Sequence, residues 1–345
     1  TGLFYTPSCY AEEKEVIELA KVIAPYNGIY ASHMRNESDQ VVEAVKETIN
    51  VGRQAGVRVD ISHHKMLGKP NWGKQKETLK LIHEAREEGI QVICDQYPYT
   101  CNMTTLNACM PPWYFENGFR SMTEKLKDPE FREKLRAEME NPETPYDNYY
   151  LNAGGWKGVY VYSSPKTPQA EGKFITEYAE EIGKDPWEAF FDLCVANNCE
   201  TGGVYSSMCD EDVCEIIQDP YCVVGSDGLT RSWKEKGHPR ASGTFPHAIT
   251  YFVKEKKIMS LEEIIHKMTG QTAEYLLVKN KGFIRQGYDA DLLIFDYDRL
   301  QDTAIYSNPN SVTEGIDYVF VNGELVYHDK QFTGAAPGRM IRHNA

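Results

Sequence analysis

The chain has 345 residues, which is long enough for one large barrel or two ordinary domains. Hydrophobic residues make up 41% and charged residues 26%, and no apolar run approaches the roughly 18 residues of a membrane span. The net charge of −14 argues against nucleic acid or an anionic membrane surface as a partner. The net charge says nothing positive about the substrate, because the local field in a cleft can oppose the global sign.

The nine cysteines are an odd number and include no CxxC pair. Reduced thiols are therefore expected rather than a disulfide framework. The first residues carry no signal-peptide pattern, and the sequence predicts a cytoplasmic protein.

The first hundred residues alternate between helical and strand patterns. Apolar residues at helical spacing predict three helices, over 10–26, 38–55 and 74–88. Short β-rich runs predict three strands, over 29–31, 57–61 and 90–94. This βαβαβ order predicts parallel strands with right-handed crossovers.

Side chains capable of chemistry stand at the C-terminal end of each of these strands, namely His33, His63, and Asp95 with Tyr97. This layout is typical of a (β/α)8 barrel, whose active site is built at the C-terminal ends of the strands. The chain contains neither GxGxxG nor GxxxxGK[ST], which argues against an open nucleotide-binding sheet. We predict an α/β, TIM-like barrel whose βα units lie in residues 1–103 and 171–281.

Residues 104–170, called the insert below, break this alternation. They contain two adjacent prolines, many aromatic and charged residues, and a predicted helix over 122–140. We interpret the insert as a lid or small subdomain, with a plain surface excursion as the alternative. The βα pattern then returns, with helices predicted near 174–183, 186–197, 210–217 and 261–278 and strands near 202–206 and 221–225.

Residues 282–345 change to a β pattern. Strands are predicted over 290–296 and 316–326, and Asn322-Gly323 within the second is a strong signal for a hairpin turn. We predict a small C-terminal β module, part of a β-sandwich, appended to the barrel.

A metal site is predicted from His33, His63 and Asp227, each of which follows a predicted parallel strand. A lone histidine at a strand end is more often structural, but two on neighbouring strands plus an aspartate favour a metal. Neutral imidazoles bind zinc, and a catalytic site keeps one position open for water. Asp227 is the candidate acid/base for that water. Successive strand residues face opposite sides, so His64 is assigned to packing.

Short motifs occur in a characteristic order along almost the whole chain. They are GLFYTP at 2–7, YASHMRNE at 30–37, SHHK at 62–65, DQYPY at 95–99, GSDG at 225–228, HPR at 238–240, KMTG at 267–270 and PGR at 337–339. Taken together they resemble the N-acyl-D-amino-acid deacylase (D-aminoacylase) family of the amidohydrolase superfamily.

This resemblance implies zinc-dependent hydrolysis of N-acyl-D-amino acids to a carboxylate and a free D-amino acid. It implies His33, His63 and Asp227 as metal ligands, with Asp227 also the catalytic acid/base. It further implies that substrate is held by Tyr5, Lys65, Tyr97, Tyr99 and Arg240. A free α-carboxylate is well matched by lysine, arginine and phenol groups. One tightly bound zinc ion is expected, and a second is left open.

The family pattern begins with a His-X-His pair and continues with a metal-bridging cysteine, and this chain has no His-X-His. The resemblance therefore implies a partial barrel, about strands 5–8, and a segment that is inactive by itself. None of the nine cysteines is assigned the bridging role. Two alternatives stay open: a cyclic-amide hydrolase of the dihydroorotase or hydantoinase type, and a non-catalytic relative that keeps the barrel as a scaffold.

Overall fold

The structure, a computed structural model, describes residues 1–230 and 232–341. The chain divides into two units. Unit 1 comprises Thr1–Asp95, Tyr99–Tyr221 and Glu235–His238, and unit 2 comprises the described residues of Gln96–Pro98, Cys222–Lys234 and Pro239–Ala345. The last four residues of the predicted C-terminal module, 342–345, lie outside the described residues. In the described ranges, no helix combines the length and apolar character needed to cross a membrane.

Unit 1 begins with the predicted βαβαβ series. Its strands are β1 (Ile29–Ser32), β2 (Arg58–Ile61) and β3 (Val92–Gln96), and its helices are α1 (Glu13–Lys21), α2 (Val41–Ala55) and α3 (Gln75–Glu87). β1 pairs with β2, and β2 pairs with β3, both in parallel register. The prediction of a parallel βαβαβ series is confirmed, and it brings the ends of neighbouring strands to one edge of the sheet.

Close packing fixes α2 against this sheet. A Cβ added to Gly52 would lie 2.2 Å from Cγ2 of Val59, so only glycine permits this approach of helix and strand. The helix ends at Gly56, whose φ of 68° lies in the left-handed region that terminates many helices. The chain can then turn directly into β2.

A second sheet in unit 1 is antiparallel. It contains β4 (Cys101–Thr105), β5 (Val159–Ser163), β6 (Lys173–Phe174) and β7 (Gly202–Ser206), in the order β4-β7-β5-β6. The strand predicted at 202–206 is present, but it pairs antiparallel with β4 and β5, and so its assignment to the parallel βα series is wrong. The first four residues of β7 are buried, and a short buried run carries no signal for the direction of its partners. The predicted boundary at residue 170 falls inside this sheet.

Six more α-helices belong to unit 1: α4 (Gly118–Lys125), α5 (Pro129–Glu140), α6 (Tyr149–Asn152), α7 (Ile175–Glu181), α8 (Pro186–Ala196) and α9 (Asp210–Gln218). The helix predicted over 122–140 is divided into α4 and α5. Asp128 caps α5 by accepting a hydrogen bond from the Glu130 N–H, and Pro129 occupies the first helical position. Short 3-10 helices occur at Ser8–Tyr10, Ala24–Tyr26, Lys69–Asn71, Leu106–Cys109, Pro112–Phe115, Trp156–Gly158 and Pro168–Ala170.

Unit 2 contains β8 (Cys222–Val224), α10 (Arg240–Ala248), a π-helix at Ile249–Glu255, α11 (Leu261–Met268) and α12 (Gly270–Tyr275). Pro246 lies inside α10 and lacks an N–H group, and the helix changes to π geometry three residues later. The single helix predicted over 261–278 is divided at Thr269, whose φ of −131° and ψ of −87° are not helical. Ser260 and Glu263 form a capping box at the start of α11.

The C-terminal module is an antiparallel sheet of β9 (Leu292–Phe295), β10 (Ile316–Val321), β11 (Glu324–His328) and β12 (Gln331–Phe332). Val321 pairs with Glu324 across the turn. Asn322 and Gly323 have φ values of 50° and 79°, which is the combination that a tight hairpin turn requires. The predicted hairpin is confirmed.

Candidate metal centre

His33 and His63 converge at the C-terminal ends of β1 and β2. Their ring centroids are 4.6 Å apart, with planes inclined by 72°. One ligand atom of each, together with a carboxylate oxygen of Glu37, forms a group in which all atoms lie within 4.8 Å of one another. The side chains of the two histidines are 12% and 10% exposed, so the group is largely shielded from solvent. Two predicted ligands are thus brought together, and a third candidate joins them.

The backbone at His63 has an uncommon conformation. Its φ of 41° lies in the left-handed region, which residues other than glycine seldom adopt. The His63 N–H donates a hydrogen bond of 3.0 Å to Oδ1 of Asp95, at the end of β3. Strain of this kind persists where the surrounding structure enforces it, and functional sites are common places for it.

His64 has a different environment. Its side chain is fully buried, and Nε2 lies 2.8 Å from Oγ1 of Thr78 on α3. Burial, and next the charge of Lys65, lower the pKa of this imidazole to about 3. The neutral ring packs between sheet and helix, in agreement with the prediction for His64.

Glu37 and Lys65 form an ion pair beside the two histidines. Lys65 Nζ donates to Oε1 of Glu37 at 2.6 Å and lies 2.7 Å from Nδ1 of His63. Burial by itself would raise the pKa of the Glu37 carboxyl, but Lys65, then His33 and His63, hold that pKa well below its usual range. The second oxygen, Oε2, is buried and accepts no hydrogen bond from the described residues. The site therefore contains a buried carboxylate with one oxygen to spare.

The sequence prediction gave Glu37 no role, although the residue ends the YASHMRNE motif. It follows His33 by four residues in a segment without helix or strand, so no periodic pattern marks it. A carboxylate four residues after a strand-end histidine was the available signal. Lys65 is only 2% exposed, which excludes a role as an ordinary surface charge.

Aromatic side chains border His33. The Tyr5 ring lies 4.9 Å from the His33 ring, and the Phe4 ring lies 5.5 Å from it. Tyr5 is 39% exposed, so it stands where a ligand could reach it. Tyr99, also in unit 1, is nearly buried and packs edge-on against His238, with ring centroids 5.0 Å apart.

The other predicted site residues form a group of their own in unit 2. Arg240 Nη2 lies 2.7 Å from Oδ2 of Asp227, and the Arg240 guanidinium stacks 4.7 Å over the Tyr97 ring. Asp227 also has a left-handed backbone, with φ of 45°. It is not a member of the group formed by His33, Glu37 and His63. A buried arginine thus holds the carboxylate that was predicted as the acid/base.

The residues of unit 1 fit a zinc ion. Two imidazoles and a carboxylate are ligand types that zinc accepts, and their ligand atoms are close enough to share one ion. The buried carboxylate of Glu37 places a negative charge beside the two imidazoles, and the left-handed backbone of His63 is a feature that functional sites often show.

Several known proteins are similar to this chain in sequence. Residues 212–327 match the family described as "Amidohydrolase family". The D-aminoacylase of Alcaligenes xylosoxydans xylosoxydans is 33% identical over 345 residues, covering 100% of this chain and 61% of that protein. The N-acyl-D-aspartate deacylase of the same organism is 32% identical over 343 residues, covering 99% of this chain and 59% of that protein.

A solved structure shows the same similarity in three dimensions. The N-acyl-D-glutamate deacylase of Bordetella bronchiseptica, complexed with zinc and a phosphonate inhibitor, superposes with a TM-score of 0.79 at 29% identity. The match covers 99% of this chain and 61% of that protein, so the chain spans about three-fifths of its relatives' length. The predicted resemblance is confirmed: the chain is related over its whole length to the N-acyl-D-amino-acid deacylases of the amidohydrolase superfamily.

Proposed function

We propose that the protein containing this chain hydrolyses N-acyl-D-amino acids to a carboxylate and a free D-amino acid, and that it uses zinc to do so. The observation that carries the proposal is the convergence of His33, His63 and Glu37 at the ends of β1 and β2. The relationship to D-aminoacylase and N-acyl-D-aspartate deacylase supports a linear amide as substrate.

His33 and His63 would hold the zinc ion, and the sequence resemblance adds Asp227 as a further ligand. When bound, zinc lowers the pKa of a water molecule towards about 7 and polarises the scissile carbonyl. The buried surroundings of the two imidazoles exclude bulk water, which strengthens electrostatic interactions with the reacting groups.

Asp227 would take the proton from the attacking water and return it to the leaving amine. The 2.7 Å contact with Arg240 supports this role, because the guanidinium holds the carboxylate in one orientation. Arg240 itself would contact the substrate carboxylate only with donors that Asp227 does not use.

Lys65 would bind the substrate α-carboxylate. Its ammonium group has three donors, and the 2.6 Å hydrogen bond to Oε1 of Glu37 fixes its position beside the histidines. Tyr5, Tyr97 and Tyr99 complete the proposed substrate-binding set. The partly exposed Tyr5, whose ring lies 4.9 Å from that of His33, is the one for which the geometry gives most support.

The reaction is tested by a chiral assay of amide hydrolysis with the purified protein that contains this chain. N-acetyl-D-methionine should be hydrolysed, while N-acetyl-L-methionine and a hydantoin should not. Turnover of the hydantoin alone would replace the proposal with a cyclic-amide hydrolase.

Metal analysis tests the site. The wild-type protein should carry at least about one zinc ion, and His33→Asn should lose both zinc and activity. His328→Asn is a matched control, because that histidine lies in unit 2 on β11 and its side chain is 41% exposed. Absence of zinc and of activity in the wild type would favour the non-catalytic scaffold.

A further inference from the structure

Glu37 faces one ring nitrogen of each histidine. Oε1 lies 3.1 Å from Nδ1 of His63, and Oε2 lies 3.8 Å from Nε2 of His33. The Glu37 side chain has no solvent exposure. One carboxylate therefore lies between two imidazoles, and each of its oxygens faces a different ring.

The surroundings of Nδ1 of His63 decide which nitrogen of this ring can bind a cation. Nδ1 lies 2.7 Å from the ammonium of Lys65, and a nitrogen that faces an ammonium is a poor partner for a second cation. A zinc ion held by His63 would then be bound through Nε2, and a neutral ring that offers Nε2 carries its proton on Nδ1. An ammonium accepts no hydrogen bond, so of these two neighbours only Oε1 of Glu37 can receive that proton.

We propose that Glu37 is a positioning residue for the zinc site rather than a zinc ligand. It accepts the Nδ1 proton of His63 and faces Nε2 of His33, so that the opposite nitrogen of each ring is left for the metal. Carboxylates commonly orient metal-binding histidines in this way, and they raise the basicity of the ring. This inference rests on the proposed function, because it assumes that the two histidines bind zinc.

The backbone of Glu37 is held from two sides. Its N–H donates to Oδ2 of Asp147 at 2.8 Å, and its carbonyl accepts the Leu67 N–H at 2.7 Å. The neighbouring Ser38 hydroxyl donates to Oδ1 of the same aspartate at 2.7 Å. Asp147 belongs to the insert, so the insert supplies the anchor that places the carboxylate between the rings.

Zinc affinity of the purified protein, measured by competition with a chromophoric chelator, tests the proposal. Glu37→Gln should weaken zinc binding by about 10–100-fold. Because this change leaves the Lys65 charge buried, the variant Glu37→Gln/Lys65→Met provides a form without the unpaired ammonium, and it should show a similar loss. Glu47→Gln is the control: it removes another partly buried carboxylate of unit 1, which pairs with Arg35 at 2.8 Å, and it should leave zinc affinity unchanged.

Cobalt substitution separates positioning from ligation. The visible absorption bands of the Co(II) protein report the atoms bound to the metal, so they should keep their positions in both Glu37 variants. A changed coordination spectrum would make Glu37 a ligand and overturn the inference, as would wild-type zinc affinity in the folded double variant. If the wild-type protein binds no zinc, the proposed function fails together with the inference. If the wild type binds zinc and is active, but the Glu37 variants keep the wild-type zinc affinity, only the inference is refuted.

Discussion

Lys65 Nζ lies 2.6 Å from Oε1 of Glu37, and the two side chains are only 3% and 0% exposed. Removing one partner of a buried ion pair leaves an uncompensated charge, which costs about 3–5 kcal/mol. We expect Lys65→Met and Glu37→Gln each to lower the free energy of unfolding by roughly that amount. The double variant should cost less than the sum, and urea denaturation of the four proteins measures the coupling.

The exposed pair of Lys46 and Glu43 is the control for this cycle. Its atoms are also close, at 2.7 Å, but the side chains are 46% and 71% exposed. Its coupling energy should stay below about 1 kcal/mol, because solvent screens the charges. If the costs of the two buried substitutions simply add, Lys65 and Glu37 are not coupled.

Asp147→Ala should destabilise the protein and weaken zinc binding. The Asp147 carboxylate accepts hydrogen bonds from the Glu37 N–H and from the Ser38 hydroxyl, and the change leaves both buried donors without this acceptor. Each buried donor left without a partner costs about 1–3 kcal/mol, so a loss above about 2 kcal/mol is expected. Asp128→Ala is the matched variant in the insert: it removes the cap of α5, should cost only about 1 kcal/mol, and should leave zinc affinity intact. Equal effects of both changes on zinc binding would remove the link from Asp147 to Glu37.

Asp147 also predicts a dependence of stability on pH. Burial raises the pKa of its carboxyl to about 6 from 3.8, although the hydrogen bonds from Glu37 and Ser38 oppose the shift. The native carboxyl binds its proton more tightly than the unfolded one, and this difference adds to the free energy of unfolding. The added stability is complete below about pH 4 and is lost as the pH rises through about 6. Asp147→Asn cannot titrate. The stability of the wild type relative to this variant should therefore decline between pH 4 and 7, and a constant difference in urea midpoints would contradict the prediction.

Gly68 has a left-handed backbone next to the insert. Its φ is 83°, and an added Cβ would lie 2.6 Å from Oδ1 of Asn152. Gly56, with φ of 68°, has open space at the same point. Gly56→Ala should therefore cost only the backbone term of about 1–2 kcal/mol, and Gly68→Ala should cost clearly more in thermal or urea unfolding.

Combining Gly68→Ala with Asn152→Ala tests the origin of that excess. The second change removes Oδ1 but leaves the Asn152 Cα, which would lie 3.2 Å from the added Cβ. The penalty should shrink without reaching the Gly56→Ala value. An unchanged penalty would show that the contact with the Asn152 side chain is not its cause.

Local pattern in the sequence was sufficient for several parts of this molecule. The alternation of apolar runs predicted β1, β2 and β3, which pair in parallel. Because parallel strands end at one edge of a sheet, the same pattern predicted that His33 and His63 lie close together, as they do. The turn at Asn322-Gly323 followed from the positive φ that these residue types tolerate. Each of these conclusions depends on residues that are neighbours in the chain, or on a general rule of topology.

Only the tertiary structure decided the partners of Glu37 and the direction of β7. Glu37 gains its role from Lys65 and from Asp147, which lies 110 residues away, and a carboxylate in an irregular segment carries no periodic signal of such contacts. The antiparallel pairing of β7 was equally hidden, because a short buried strand looks the same whichever way its neighbours run. Sequence pattern therefore located the strand ends and their histidines. Packing between distant segments determined that the Glu37 carboxylate lies between the two histidine rings.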